Sequence, residues 1–155
     1  MTTAQDILTR AAQRALEQKL PYAGALPPGE AYALLQSAPG AVLVDVRTQA
    51  EWYWVGRVPG AVMIEWTVYP GGARNPDFLR QLQAAVPLTQ APLMFLCRSG
   101  HRSGHRSHHA AALATEVGYR NCFNVLEGFE GDRDAQGHRN SVNGWRVARL
   151  PWEQG

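Results

Sequence analysis

Lysine is almost missing from this chain. Lys19 is the only one in 155 residues, so arginine carries nearly all of the positive charge. Cysteine is scarce as well: Cys97 and Cys122 could close one disulfide, but they do not make a disulfide framework. Charged residues reach 18% and the formal net charge is +2, against a usual charged share of roughly 25%. A balance so near neutral excludes the broad cationic surface that a nucleic acid needs. No apolar run approaches the roughly 18 residues of a membrane span, and MTTAQDILTRAAQRALEQKL has no uninterrupted apolar core of a signal peptide. The expectation is a cytoplasmic protein with reduced thiols and neither membrane nor nucleic-acid partners.

What the chain does hold is a 45% apolar content, enough for the core of one compact domain. Ile7, Leu8, Ala11, Ala12, Ala15 and Leu16 recur at helical spacing, behind a Thr3–Asp6 capping box and ahead of Pro21. Pro28 to Gln36 reads as a second helix after the LPPGE turn. AVLVDV, Ala41 to Val46, is a nearly continuous apolar run of the kind buried on both faces of a parallel sheet. Thr48 and Glu51 then cap a short helix over Ala50 to Val55, and Ala61 to Ile64 reads as another strand. A helix from Asn75 to Val86 has Pro76 in its first position. Leu93 to Leu96 is a second buried strand, Ser107 to Val117 a helix, and Cys122 to Leu126 a further strand. A last short element lies around Trp145 to Leu150. This alternation predicts an α/β fold with a mostly parallel sheet, residues 1–27 being a helical extension before a domain over 28–155.

The chemistry concentrates in MFLCRSGHRSGHRSHHAAALA. A buried strand ends at Cys97, a loop of Arg, Ser, Gly and His follows, and then a helix begins. Ligands of open α/β sheets bind at the carboxyl ends of strands, which is where this cysteine falls. Gly100 and Gly104 let backbone N–H groups turn inward as a nest, the helix adds its positive end, and the arginines add forked donors. The same surroundings lower a thiol's pKa from about 8.5 to roughly 3.5–7.5. Cys97 is therefore the candidate nucleophile, and Cys122, in NCFNVL with no basic loop beside it, reads as core.

Four segments together are similar to the rhodanese-like domain family. LVDVRTQAEWYWVGRVPGAVMI resembles its first signature and LMFLCRSGHRS its active-site loop. VGYRNCFNVLEGFEG and GWRVARLPW resemble the segments that follow, and the matches span most of residues 28–152. The resemblance implies a parallel five-stranded sheet with helices on both faces, and sulfur transfer through a cysteine persulfide. It makes Cys97 the catalytic residue. Arg98, Ser99, Gly100, His101, Arg102 and Ser103 would bind a small anionic sulfur donor such as thiosulfate. Cyanide, a thiol or a partner protein's cysteine would accept the sulfur, with no metal and no cofactor. Asp45, Arg47, Glu51 and Arg57 fall on signature positions and read as supports that pin loops.

One departure stands out. RSGH occurs in tandem, Arg98–His101 and Arg102–His105, and Arg106-Ser107-His108 begins a third copy. The family pattern enters its helix after one copy. Either Cys97–Arg102 forms the ordinary loop and the helix gains a turn, or the loop grows to reach Arg106. Gly104 is poor inside a helix and Ser107 is a good N-cap, which favours the longer loop. A longer loop keeps open the phosphatase branch that shares this fold. Cys97, His101, His105 and His109 also fall at intervals of four, which on one continuous helix would suit zinc. A docking or persulfide-carrier module is a third alternative, with Trp52, Trp54, Trp66 and Tyr69 as an aromatic rim.

Overall fold

The computed structural model of the chain describes residues 3–100 and 105–155. Five strands, β1 (Gly24–Leu26), β2 (Val42–Asp45), β3 (Val62–Met63), β4 (Leu93–Leu96) and β5 (Cys122–Val125), pair in parallel in the order β1-β5-β4-β2-β3. The helices are α1 (Ala4–Gln18), α2 (Pro28–Ser37), α3 (Gln49–Trp54), α4 (Phe78–Ala85) and α5 (Arg106–Glu116). The expected α/β architecture is the observed one.

Alternation along the strands divides the core in two. Leu93 and Phe95 of β4 join Phe78 and Leu82 of α4 and Ala110, Ala111 and Ala114 of α5. Met94 and Leu96 face the other way, with Phe123 and Val125 of β5, against Ile7 and Ala11 of α1 and Ala31 and Leu34 of α2. Both faces of the sheet are thus covered, which is why its central strands read as continuous apolar runs.

Local signals are obeyed where they are complete. Thr3 with Asp6, and Thr48 with Glu51, each form the reciprocal capping box. Helix α4 starts at Phe78 rather than at Asn75. The Asn75 carboxamide oxygen accepts from Asp77 N–H at 3.0 Å, and its amide donates to Glu65 O and Gln81 Oε1, so the chain turns before it coils. Gly24–Leu26, inside the segment expected to be only a helical extension, is the edge strand β1, hydrogen-bonded to β5. Around Trp145 the chain is a series of turns, with the buried indole donating to Pro151 O at 2.8 Å.

Candidate active site

Strand β4 delivers Cys97 to the carboxyl edge of the sheet, beside β2 and β5. The turn after it is held from outside. Phe129 N–H donates to Cys97 O at 2.9 Å, Glu130 and Gly131 N–H donate to Arg98 O, and Asn124 Nδ2 donates to Gly100 O at 3.0 Å. Those carbonyls are taken up by β5 and the segment after it. Gly100 N–H points at Cys97 Sγ, 3.3 Å away.

Two glycines permit this contact. Gly100 has φ +64°, and a Cβ there would stand 2.3 Å from Val125 O. Gly128 has φ +65°, and its Cβ would stand 2.5 Å from Arg98 O. Any side chain at either position forces the two turns apart.

The other wall is the start of α5. The helix begins at Arg106, with His105 extended at its N-cap. Ser107 is therefore not the cap expected from sequence but lies within the first turn, fully buried, with Oγ 3.1 Å from Cys97 Sγ. His105 hydrogen-bonds the same thiol, and its Nδ1 lies 2.9 Å from Ser99 Oγ. Arg106 reaches across to α3 and donates to both oxygens of Glu51, at 2.7 and 3.1 Å.

These contacts set the charge of the site. Burial pushes the Cys97 thiol up, but hydrogen bonds from His105 and Ser107 and the charge of Arg106 outweigh it and bring the thiol down to about 7. Burial opposes the charge of Glu51, and its bonds to Arg106 overcome that and hold the carboxyl below its usual range. Cys122 is the contrast: burial dominates and pushes its thiol up to about 11. Alkylation of Cys97 by iodoacetamide is expected to rise with pH around a midpoint near 7, because the thiolate is the reacting form. Cys122 stays unmodified in the folded chain over that range. Mass analysis of alkylated peptides across pH 5–9 checks both; a Cys97 midpoint near 9 contradicts the site described here.

Of the residues expected at the site, Cys97, Arg98, Ser99 and Gly100 come together, Arg98 exposed and the others buried. His101, Arg102 and Ser103 lie outside the described residues. Asp45 and Arg47 form a fully buried pair, Arg47 Nη2 to Asp45 Oδ2 at 2.7 Å. Arg47 also donates to Gly56 O and packs over the Phe129 ring. Arg57 bridges to the Glu153 carboxylate and Trp52 O. All three brace loops, as does Glu51. Sequence reasoning missed Ser107 and His105 as neighbours of the thiol. The second and third copies of the repeat marked them, but only the start of α5 brings them to Cys97.

The zinc spacing dissolves in three dimensions. Cys97 ends a strand, His105 precedes α5, and His109 stacks on Trp66 with ring centroids 6.4 Å apart. Among the described residues no group of three or more His, Cys, Asp or Glu is placed to hold a metal. The aromatic residues also part company. Trp66 is buried, whereas Trp54 and Tyr69, 72% and 71% exposed, stand at a cleft of about 530 Å³ shared with Arg98, Glu51 and Arg106. No described helix is long and apolar enough to cross a membrane.

The fold and site define a parallel α/β protein whose central strand leads through a cysteine-bearing loop into a helix. The family model of the rhodanese-like domain matches residues 27–135, and the chain belongs to that family. It is 45% identical to Rv0390 from M. tuberculosis. That crystal structure superimposes with a TM-score of 0.77 over 86% of this chain and 99% of the other. An uncharacterized protein of Rickettsia conorii is 38% identical over 80% of this chain and 92% of its own. A Rhodopseudomonas palustris protein described as a possible tyrosine phosphatase shares the fold, at 21% identity and a TM-score of 0.53 over 99% of this chain and 96% of its own.

Proposed function

We propose that the chain is a sulfurtransferase of the thiosulfate-using type, which carries sulfane sulfur on Cys97 as a persulfide. The observation that carries this reading is the surroundings of one atom. Cys97 Sγ receives Gly100 N–H, lies beside Ser107 Oγ and bonds His105, a set that favours a thiolate over a thiol. The thiolate attacks the outer sulfur of thiosulfate; the S–S bond of the donor breaks and sulfite leaves with its electron pair. The charge then on the outer sulfur of Cys97 needs donors, and Gly100 N–H beside the sulfur suits it. Arg98, Ser99 and Gly100, with His101, Arg102 and Ser103, are the residues we assign to the anionic donor. Cyanide, a thiol or a partner's cysteine then takes the sulfur, and Cys97 returns as thiolate. Two free thiols, Cys97 and Cys122, accord with a reducing, cytoplasmic setting.

A phosphatase is the second reading, because the helix starts at Arg106 and the loop is longer than the ordinary sulfurtransferase loop. Against it, Arg106 already spends two bonds on Glu51, where a phosphate-binding arginine needs its fork for the ligand. Incubation with thiosulfate is expected to add one sulfur, about 32 Da, to Cys97 and to release sulfite. Hydrolysis of an aryl phosphate without any such adduct replaces the sulfurtransferase reading with the phosphatase.

A further inference from the structure

His105 is a product of the repeat, and the persulfide chemistry above uses it only to lower a pKa. The residue sits at the N-cap of α5 in extended conformation, and its own side chain makes no cap bond. Its Nδ1 instead lies 2.9 Å from Ser99 Oγ, and its hydrogen bonding helps to lower the pKa of the Cys97 thiol. Ser99 is buried, so the ring is held in place. On the other side the pair opens on a cleft of about 580 Å³, walled by Asp132, Arg133, Asp134 and Arg139. The two aspartates are committed to building that wall. Asp134 accepts from Gln136 and His138 N–H and from Ser141 Oγ, and Asp132 accepts from Asn143 Nδ2. A small molecule in this cleft therefore meets an imidazole bonded to Ser99 Oγ at 2.9 Å, in the loop that also carries Cys97.

The two halves of sulfur transfer differ in their need for a proton. Attack by a thiolate on thiosulfate moves none, and neither does attack by the cyanide anion on the persulfide. A thiol must lose its proton before it attacks, and the sulfur it carries away must gain one. Resting on the sulfurtransferase reading, we infer that His105 is the proton-transfer residue of the second half-reaction, and that the acceptor is a thiol entering by the Ser99–His105 cleft. The acceptor RSH gives its proton to His105. RS⁻ then bonds to the outer sulfur, and the bond from that sulfur to Cys97 Sγ breaks. Cys97 leaves as thiolate, and His105 returns the proton to the transferred sulfur. The sum is RSH + Cys97–S–S⁻ → RSSH + Cys97–S⁻, which needs no outside oxidant or reductant. Imidazole is the side chain that makes such exchanges near neutral pH. Among the described residues, the charged groups around it are Cys97, the adjoining Arg106, and Asp132, Arg133, Asp134 and Arg139 across the cleft.

The test compares the wild-type chain with His105→Asn and His105→Gln; Asn is itself a strong N-cap and keeps the start of α5. The Cys97 persulfide is preformed with thiosulfate, and its discharge is followed in a single turnover with 2-mercaptoethanol at neutral pH or with cyanide at a pH where cyanide is ionised, so the ionisation of the resting thiol does not enter. The thiol reaction is expected to fall roughly a hundredfold. The cyanide reaction falls by at least about ten times less, because it needs no proton relay. The midpoint of Cys97 alkylation moves to higher pH because a hydrogen bond to the thiolate is lost; the difference between the two acceptors, and not this shift, reports the proton relay. An equal loss with both acceptors, or thiol turnover unmoved in both variants, overturns the role of His105 and leaves the sulfurtransferase standing. A wild-type chain that takes no sulfur from any donor overturns both.

Discussion

Cys97→Ser is expected to lose both the sulfur adduct and turnover, by roughly a thousandfold or more, as removal of a covalent nucleophile does. The serine hydroxyl fits the same space, so the fold should survive. What disappears is the thiolate that Gly100 N–H, Ser107 and His105 are arranged to hold. Cys122→Ala serves as the control. Its thiol is buried and pushed up to about 11, and its Sγ is 3.7 Å from Tyr119 O. Turnover there should stay within about twofold of wild type, since a small change in the core is felt as stability rather than as chemistry. Turnover and adduct formation by both variants, read by mass and by sulfite release, check the assignment. A Cys97→Ser protein that still gains sulfur removes Cys97 from the mechanism, and a Cys122→Ala protein that does not brings Cys122 into it.

Asp45→Asn carries the largest expected loss of stability. The Asp45–Arg47 pair has no exposed side-chain surface, and Arg47 makes its contacts with Asp45, Gly56 O and the Phe129 face in the interior. Neutralising the carboxylate leaves a buried guanidinium without its counter-charge, which costs about 3–5 kcal/mol. For a chain of this size that corresponds to a fall in Tm of roughly 6–20 °C. The penalty belongs to the orphaned charge and not to a strong net contribution from the pair. The double variant Asp45→Leu/Arg47→Met, with both charges removed, should therefore recover part of the loss. Thermal unfolding of the three proteins checks the sign and the coupling. A single variant within about 3 °C of wild type shows that Arg47 finds another partner.

The two effects meet at the loop, because the ion pair braces the same edge of the sheet from which Cys97 emerges. Asp45 ends β2, next to Leu96 at the end of β4. Arg47 packs on Phe129, whose N–H holds Cys97 O. Loss of the pair is thus expected to loosen the thiol's surroundings as well as the fold.

Much of this was legible in the order of residues. The apolar runs at Ala41 to Val46 and Leu93 to Leu96 specify central strands, because only a sheet covered on both faces buries every position of such a run. The capping pairs Thr3–Asp6 and Thr48–Glu51 specify helix starts, because both partners lie within one turn. Cys97 followed by Arg, Ser and Gly after a buried strand points to the family and to Cys97 as its candidate nucleophile. These signals are local or periodic, so the chain carries them in itself.

What the sequence left open depends on partners far away along the chain. Three residues, Gly24–Leu26, are too few to show a period, and they become a strand only by pairing with Phe123 to Val125. The repeat offered two registers of nearly equal local merit. The structure starts α5 at Arg106, where the guanidinium meets Glu51 from α3, fifty-five residues earlier. That choice puts Ser107 inside the helix and on the sulfur, and places His105 between Cys97 and Ser99. The sequence alone singled out Cys97 as the candidate nucleophile. Only the tertiary structure decided which side chains surround it, because a pairing across the sheet edge, and no local propensity, sets where the helix begins.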